Sequence, residues 1–118
     1  MQLPERTEVP EIDLAELTRN GEVRSLSGHE RGIAAREHFG LEAADRGSDP
    51  IVVQIPEAIY TLTTSFFQGM FAASVHALND DRERFLTKYR FVASPIVLRQ
   101  IERGISSVRT RRDDVLAH

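Results

Sequence analysis

Residues 51–78 constrain the fold of this chain more than any other stretch. They read IVVQI, then PEAIYTL, then TTSFFQGMFAASVHAL. Ile51, Val52, Val53 and Ile55 are β-branched, and only Gln54 interrupts them. A run without polar alternation predicts a strand covered on both faces, as in a parallel sheet. Pro56 ends the ladder because it has no N–H to donate. Beyond it, Phe66, Phe67, Met70, Phe71, Val75 and Leu78 recur at helical spacing. They wrap so much of the circumference that the helix is predicted to be buried. Thr61, Thr63, Thr64 and Ser65 stand at the junction, where a helix start leaves backbone N–H groups without partners. Such strand-to-helix junctions are where α/β domains display their chemistry.

The chain has 118 residues, enough for one domain with its own core and no second. It lacks cysteine, which excludes disulfides and thiolate metal sites and is compatible with a reducing cytosol, the expected location. The N-terminal MQLPERTEVPEIDL alternates charge and proline and does not read as a signal peptide. No stretch approaches the roughly 20 apolar residues that cross a bilayer, so no membrane partner is expected. A net charge of −3 argues against nucleic acid, whose phosphates require clustered positive charge. The charge is uneven. Glu5, Glu8, Glu11, Asp13 and Glu16 oppose Arg6 near the start, whereas Lys88, Arg90, Arg99, Arg103, Arg109 and Arg111 make the end basic. The basic end reads first as a solvated helix face and tail.

Along the chain, Val9–Leu14 reads as an edge strand, Asn20-Gly21 as a turn and Glu22–Leu26 as a second strand. Ser27 and Glu30 have capping-box spacing and open a first helix over 28–39, ending at Gly40. Its apolar stripe is thin, which predicts a helix lying on the surface of the sheet. Residues 41–50 read as a loop. Ser65 and Gln68 repeat the capping-box spacing for a second helix over 65–79, closed by Asn79-Asp80-Asp81. Gly69 inside that helix costs about 1 kcal/mol of propensity, and close approach to another backbone is the expected return. A strand within 85–93 centres on Tyr89–Val92. Ser94-Pro95 then opens a third helix over 95–108, with Val97, Ile101, Ile105 and Val108 on its inner face. Residues 1–8 and 109–118 are expected to be flexible. The alternation gives a single α/β domain with a mostly parallel or mixed sheet of about 4 strands.

The segments LSGHERGIAARE, IVVQI, TTSFFQGMF, KYRFV and SPIVLRQIERGI together resemble the STAS-like domains, small α/β proteins similar to sulfate-transporter and anti-sigma-factor-antagonist domains. The resemblance spans about residues 9–107. It implies a non-enzymatic regulatory module that binds a protein partner. In the antagonist branch, an acidic residue and a hydroxyl pair precede the second helix, and an ATPase-fold kinase phosphorylates one hydroxyl to switch partners. By position, Thr63 stands at the acid, Thr64 and Ser65 at the hydroxyl pair, and Phe66 at the usual glycine. Gln54-Ile55 stands where Asp-Phe is common.

These residues are therefore the candidate partner-binding or phospho-acceptor positions: Thr63, Thr64, Ser65 and Phe66. A phosphate on Thr64 or Ser65 would meet free N–H groups and the positive end of the helix dipole. The plainer reading makes Ser65 an N-cap and the threonines strand-end residues. A small-ligand or anion site at the same helix N-terminus is the alternative. Arg31 and Arg36, on one side of the first helix, are candidate anion or partner contacts. His29, His38, His76 and His118 have no metal-ligand spacing, and His76 reads as a partly covered packing residue. TTSFF lacks the glycines of a nucleophile elbow, and no phosphate-loop lysine accompanies Gly28 and Gly32. No catalytic residue, metal or cofactor is expected. The open edges of a small sheet invite a homodimer.

Overall fold

The structure is a computed structural model that describes residues 10–19 and 22–117, with side chains to residue 110. The expected turn at Asn20-Gly21 and the segment 1–8 lie outside the described residues. In chain order the elements are β1 (Glu11–Asp13), a 3-10 turn (Leu14–Leu17), β2 (Ser25–Leu26), α1 (His29–His38), α2 (Leu41–Arg46), β3 (Ile51–Gln54), β4 (Thr61–Leu62), α3 (Thr64–Ala77), α4 (Arg82–Lys88), β5 (Tyr89–Val92) and α5 (Pro95–Ala117).

The fold is α/β, and all strand pairing among the described residues is parallel. The strands form two small sheets, β1-β3-β5 and β2-β4, where sequence reasoning placed about four strands in one. The covered strand takes the centre. Val52 pairs with Glu11 on one side and Arg90 on the other. Ile51, Val53 and Ile55 are buried. The chain leaves the sheet at Ile55, whose N–H still bonds to Val92 O. It rejoins strand pairing in β4, which Tyr60 N–Arg24 O and Thr63 N–Leu26 O bonds extend at both ends.

The core forms on α3. Phe71 lies at its centre, with ring centroids 5.3 Å from Phe67, Tyr89 and Phe91 and 5.6 Å from Phe85. The contacts with Phe85, Tyr89 and Phe91 are edge-to-face, and such packing contributes beyond area burial alone. Val97, Ile101, Ile105 and Val108 are all buried along α5, as their spacing predicts. That helix runs on through Ala117, beyond the expected end at 108.

Two helices appear where sequence reasoning placed none. Residues 41–50 are not a loop throughout. Gly40, at φ +66°, ends α1 in the left-handed conformation, and the chain restarts at once as α2 with Leu41 fully buried. Asn79 and Asp80 close α3 at φ +65° and +58°, as expected. Asp81 then caps α4, accepting from Glu83 N at 2.9 Å and Arg84 N at 3.1 Å. Phe85 is thus helical, and only Tyr89–Val92 of the expected segment is strand. The second expected strand shortens to Ser25–Leu26. The first shortens to Glu11–Asp13, because the Asp13 carboxylate accepts from Ala15 N and starts the 3-10 turn.

Neither capping box forms. α1 is entered through Gly28 at φ +96°, with no side chain capping it. The cap of α3 is Thr63, whose Oγ1 accepts from Phe66 N at 3.2 Å. Gln68 points away from the cap and donates to Ser107 Oγ of α5 at 2.7 Å.

α1 packs on α3 rather than directly on the sheet. A Cβ added at Gly69 would run into the His29 carbonyl oxygen and lie 2.9 Å from Ile33 N. A Cβ at Gly32 would run into the Phe66 carbonyl oxygen and lie 2.8 Å from Met70 N. The two backbones approach through reciprocal glycines, which is the return expected for Gly69. We expect Gly69→Ala to destabilise the protein by about 2–3 kcal/mol in urea unfolding, even after the roughly 1 kcal/mol gain in helix propensity. Gly47→Ala is the control. Gly47 has extended backbone (φ −82°, ψ 171°), and a Cβ there makes only an ordinary 3.5 Å contact. It should leave stability unchanged or raise it by about 0.4–1 kcal/mol.

Candidate functional site

The hydroxyl cluster lies at the turn from β4 into α3. Thr63 is half-buried and committed to the cap. Thr64 and Ser65 form the first helical turn, and both are exposed. Their N–H groups have no acceptor inside the helix. Ser65 Oγ lies 3.3 Å from Thr63 Oγ1. The turn therefore comes one residue earlier than a Ser65 cap requires, and this frees Ser65 from the structural role assigned to it.

The turn is held from behind. Gln100 Oε1 of α5 accepts from Leu62 N at 2.6 Å, and Thr63 N bonds to Leu26 O of β2. Phe66 is only 2% exposed. Its ring belongs to the interior, so Phe66 cannot serve as a direct partner contact. Just upstream, Tyr60 is 61% exposed and adds a large aromatic surface to the approach.

The two candidate arginines separate. Arg31 is exposed on α1. Arg36 is not available to an outside anion, because its guanidinium is used inside the molecule. Nη1 donates to Met70 O at 3.1 Å and to Ser74 Oγ at 2.9 Å, and Nη2 donates to Asp45 Oδ2 at 2.5 Å. Ser74 Oγ donates to the same Oδ2 at 3.0 Å, and Tyr89 Oη donates to Asp45 Oδ1 at 2.5 Å. One carboxylate thus joins α1, α2, α3 and β5. Every group in the network has a charged or hydroxyl partner, which is the condition for keeping polar groups in a core.

Sequence reasoning missed Asp45, Ser74 and Tyr89 as a unit. The available signal was Ser74, a hydroxyl on the apolar face of a buried helix. Among the described residues the histidines are not gathered. His38 Nε2 lies 3.0 Å from Glu16 Oε1, and His76 Nδ1 lies 2.6 Å from Asp80 Oδ1. His76 is partly covered, with its side chain 38% exposed. Among the described residues no three His, Cys, Asp or Glu side chains come together to hold a metal, and no helix is long and apolar enough to cross a membrane.

No family model, curated protein or solved structure matches the chain. The likeness to STAS-like domains thus rests on the quoted residues alone.

Burial, and then the hydrogen bond to Asp45, raise the Tyr89 phenol well above its ordinary value of 10.0. A folded-state pKa above the unfolded one means that folding holds the proton more tightly. The associated stability is complete below pH 10 and is lost as pH rises beyond it. Tyr89→Phe cannot ionise. It should lower stability at neutral pH by about 1–3 kcal/mol by leaving Asp45 short of a donor. It should also flatten the alkaline fall in the urea midpoint, measured as a function of pH.

Proposed function

We propose that this domain is a non-enzymatic protein-recognition module of STAS-like type, whose contact surface is the β4–α3 turn with Thr64 and Ser65 at its tip. One observation carries the reading. Thr63 caps α3, so two adjacent hydroxyls stand exposed at a helix start without a capping duty. The exposed Tyr60 supplies apolar area beside them, as interface anchors do. The nearest side-chain partner of Ser65 Oγ is another hydroxyl, Thr63 Oγ1, rather than an imidazole or carboxylate base. That environment suits recognition more than nucleophilic catalysis.

Phosphorylation of Thr64 or Ser65 by an ATPase-fold kinase is the proposed switch. A phosphate there would add about −1.5 to −2 charges at the positive end of the α3 dipole. Substitution at these positions leaves the Thr63–Phe66 cap bond in place, since Ser65 meets the cap only through the 3.3 Å contact of its Oγ with Thr63 Oγ1. The Thr64→Asp/Ser65→Asp variant is expected to unfold within about 0.5 kcal/mol of the parent. Affinity capture from the source cells with both baits is the test, combined with intact-mass measurement before and after phosphatase. The reading expects an ATPase-domain protein held by the parent and depleted about tenfold or more by the variant. It also expects one removable phosphoryl group at Thr64 or Ser65. Identical partner sets with both baits and an unmodified mass would refute it.

A further inference from the structure

A second concave surface lies between the 3-10 turn, the approach to β2 and α1, and reaches the first turn of α3 at Phe66. It is a cleft of about 500 Å³, within the range that takes small organic ligands. Leu26, Ala35 and Phe66 line its buried part, each no more than 4% exposed. Arg19 and Arg31 line it as well. Among the described residues neither guanidinium has an acceptor, as is true of other exposed arginines such as Arg24 and Arg109; their place on the cleft wall singles these two out. Arg19 is also held at φ +52°, a conformation that non-glycine residues adopt rarely and that recurs at ligand clamps. The remaining ionisable side chains in the cleft are Glu16 and His38, which face each other at 3.0 Å.

We propose that this cleft binds a small amphipathic carboxylate, with its apolar body on the accessible side chains of Leu17, Val23 and Ala34 and its charged head between Arg19 and Arg31. Guanidinium groups match a planar carboxylate through paired N–H donors. Glu16 on the wall favours a singly charged head over a doubly charged phosphate, because each added negative charge raises the repulsion. The cleft meets the first turn of α3 at Phe66, but the residues that would hold the charged head, Arg19 and Arg31, lie outside that turn.

The test is an amide NMR titration with 2-naphthoate, alongside 2-naphthalenemethanol as the neutral analogue and inorganic phosphate as the bare anion. Saturable shifts centred on Leu17, Ser25, Leu26 and Ala35 are expected with 2-naphthoate. Arg19→Ala and Arg31→Ala, both at exposed positions, should each weaken binding about tenfold or more. Ala34→Trp, which fills the cleft without altering its charge, should abolish binding. Absence of saturable shifts, shifts centred elsewhere, or affinity unchanged in the Arg19→Ala/Arg31→Ala variant would overturn the proposal. Equal binding of the neutral alcohol would remove the charged head, and equal binding of phosphate would remove the apolar body. Either result overturns it as well.

Discussion

The backbone contact between α1 and α3 sets the positions of everything else. Glycine at 32 and 69 lets each helix bring a side-chain-free turn against a carbonyl of the other. At that separation Arg36 can reach both Met70 O and Ser74 Oγ across the interface. With a larger residue at either glycine, the helices must part and the guanidinium loses those acceptors. The same approach fixes the first turn of α3 against α1, because a Cβ at Gly32 would meet the Phe66 carbonyl. The thin apolar stripe of α1 follows from this arrangement. A helix docked through glycine and alanine needs few large side chains, and only Gly32 and Ala35 of α1 are buried.

Asp45 extends that contact into the rest of the domain. It sits on a six-residue helix that would have little reason to persist alone. Leu41 holds one end of the helix in the core, while Arg36, Ser74 and Tyr89 hold Asp45 near the other. The network is costly to break at one member, since a buried carboxylate left short of partners keeps its full desolvation penalty. It also orients Tyr89 at the start of β5, against Phe71 and Phe85. Polar and aromatic parts of the core are therefore coupled through a single side chain.

Features expressed in local pattern were legible in the sequence. The β-branched run became the central strand, the buried periodicity of α3 and α5 was correct, and Gly69 declared a close approach. Features decided at a distance were not. α2 and α4 are short, and each follows so directly on the preceding helix terminator that Gly40 and Asn79-Asp80 read as ends rather than as corners. Asp45 gave no local hint, because its partners lie 9, 29 and 44 residues away in the chain. The hydroxyl turn was legible to within one register step. Thr63 and Ser65 are both competent caps, and sequence spacing favoured Ser65 through Gln68. The structure selects Thr63 because its N–H continues the β2–β4 pairing to Leu26 O, which places that residue at the last extended position before the helix.

That one-residue choice bears on the proposed switch. If Ser65 were the cap, its Oγ would be engaged with the backbone, and modifying it would disturb the start of α3. With Thr63 in that role, the cap bond, the β2–β4 pairing and the Gln100 bond to Leu62 are made without Thr64, and Ser65 touches the cap only through its 3.3 Å contact with Thr63 Oγ1. A rigid support with exposed, chemically modifiable groups at its tip is what a surface switch requires, because the added charge then acts on a partner rather than on the fold. Phe66 marks where the tip meets the interior. Its N–H closes the cap, its carbonyl packs against Gly32, and its side chain lines the cleft beneath α1. The hydroxyl turn is thus held by the same glycine contact that organises the domain.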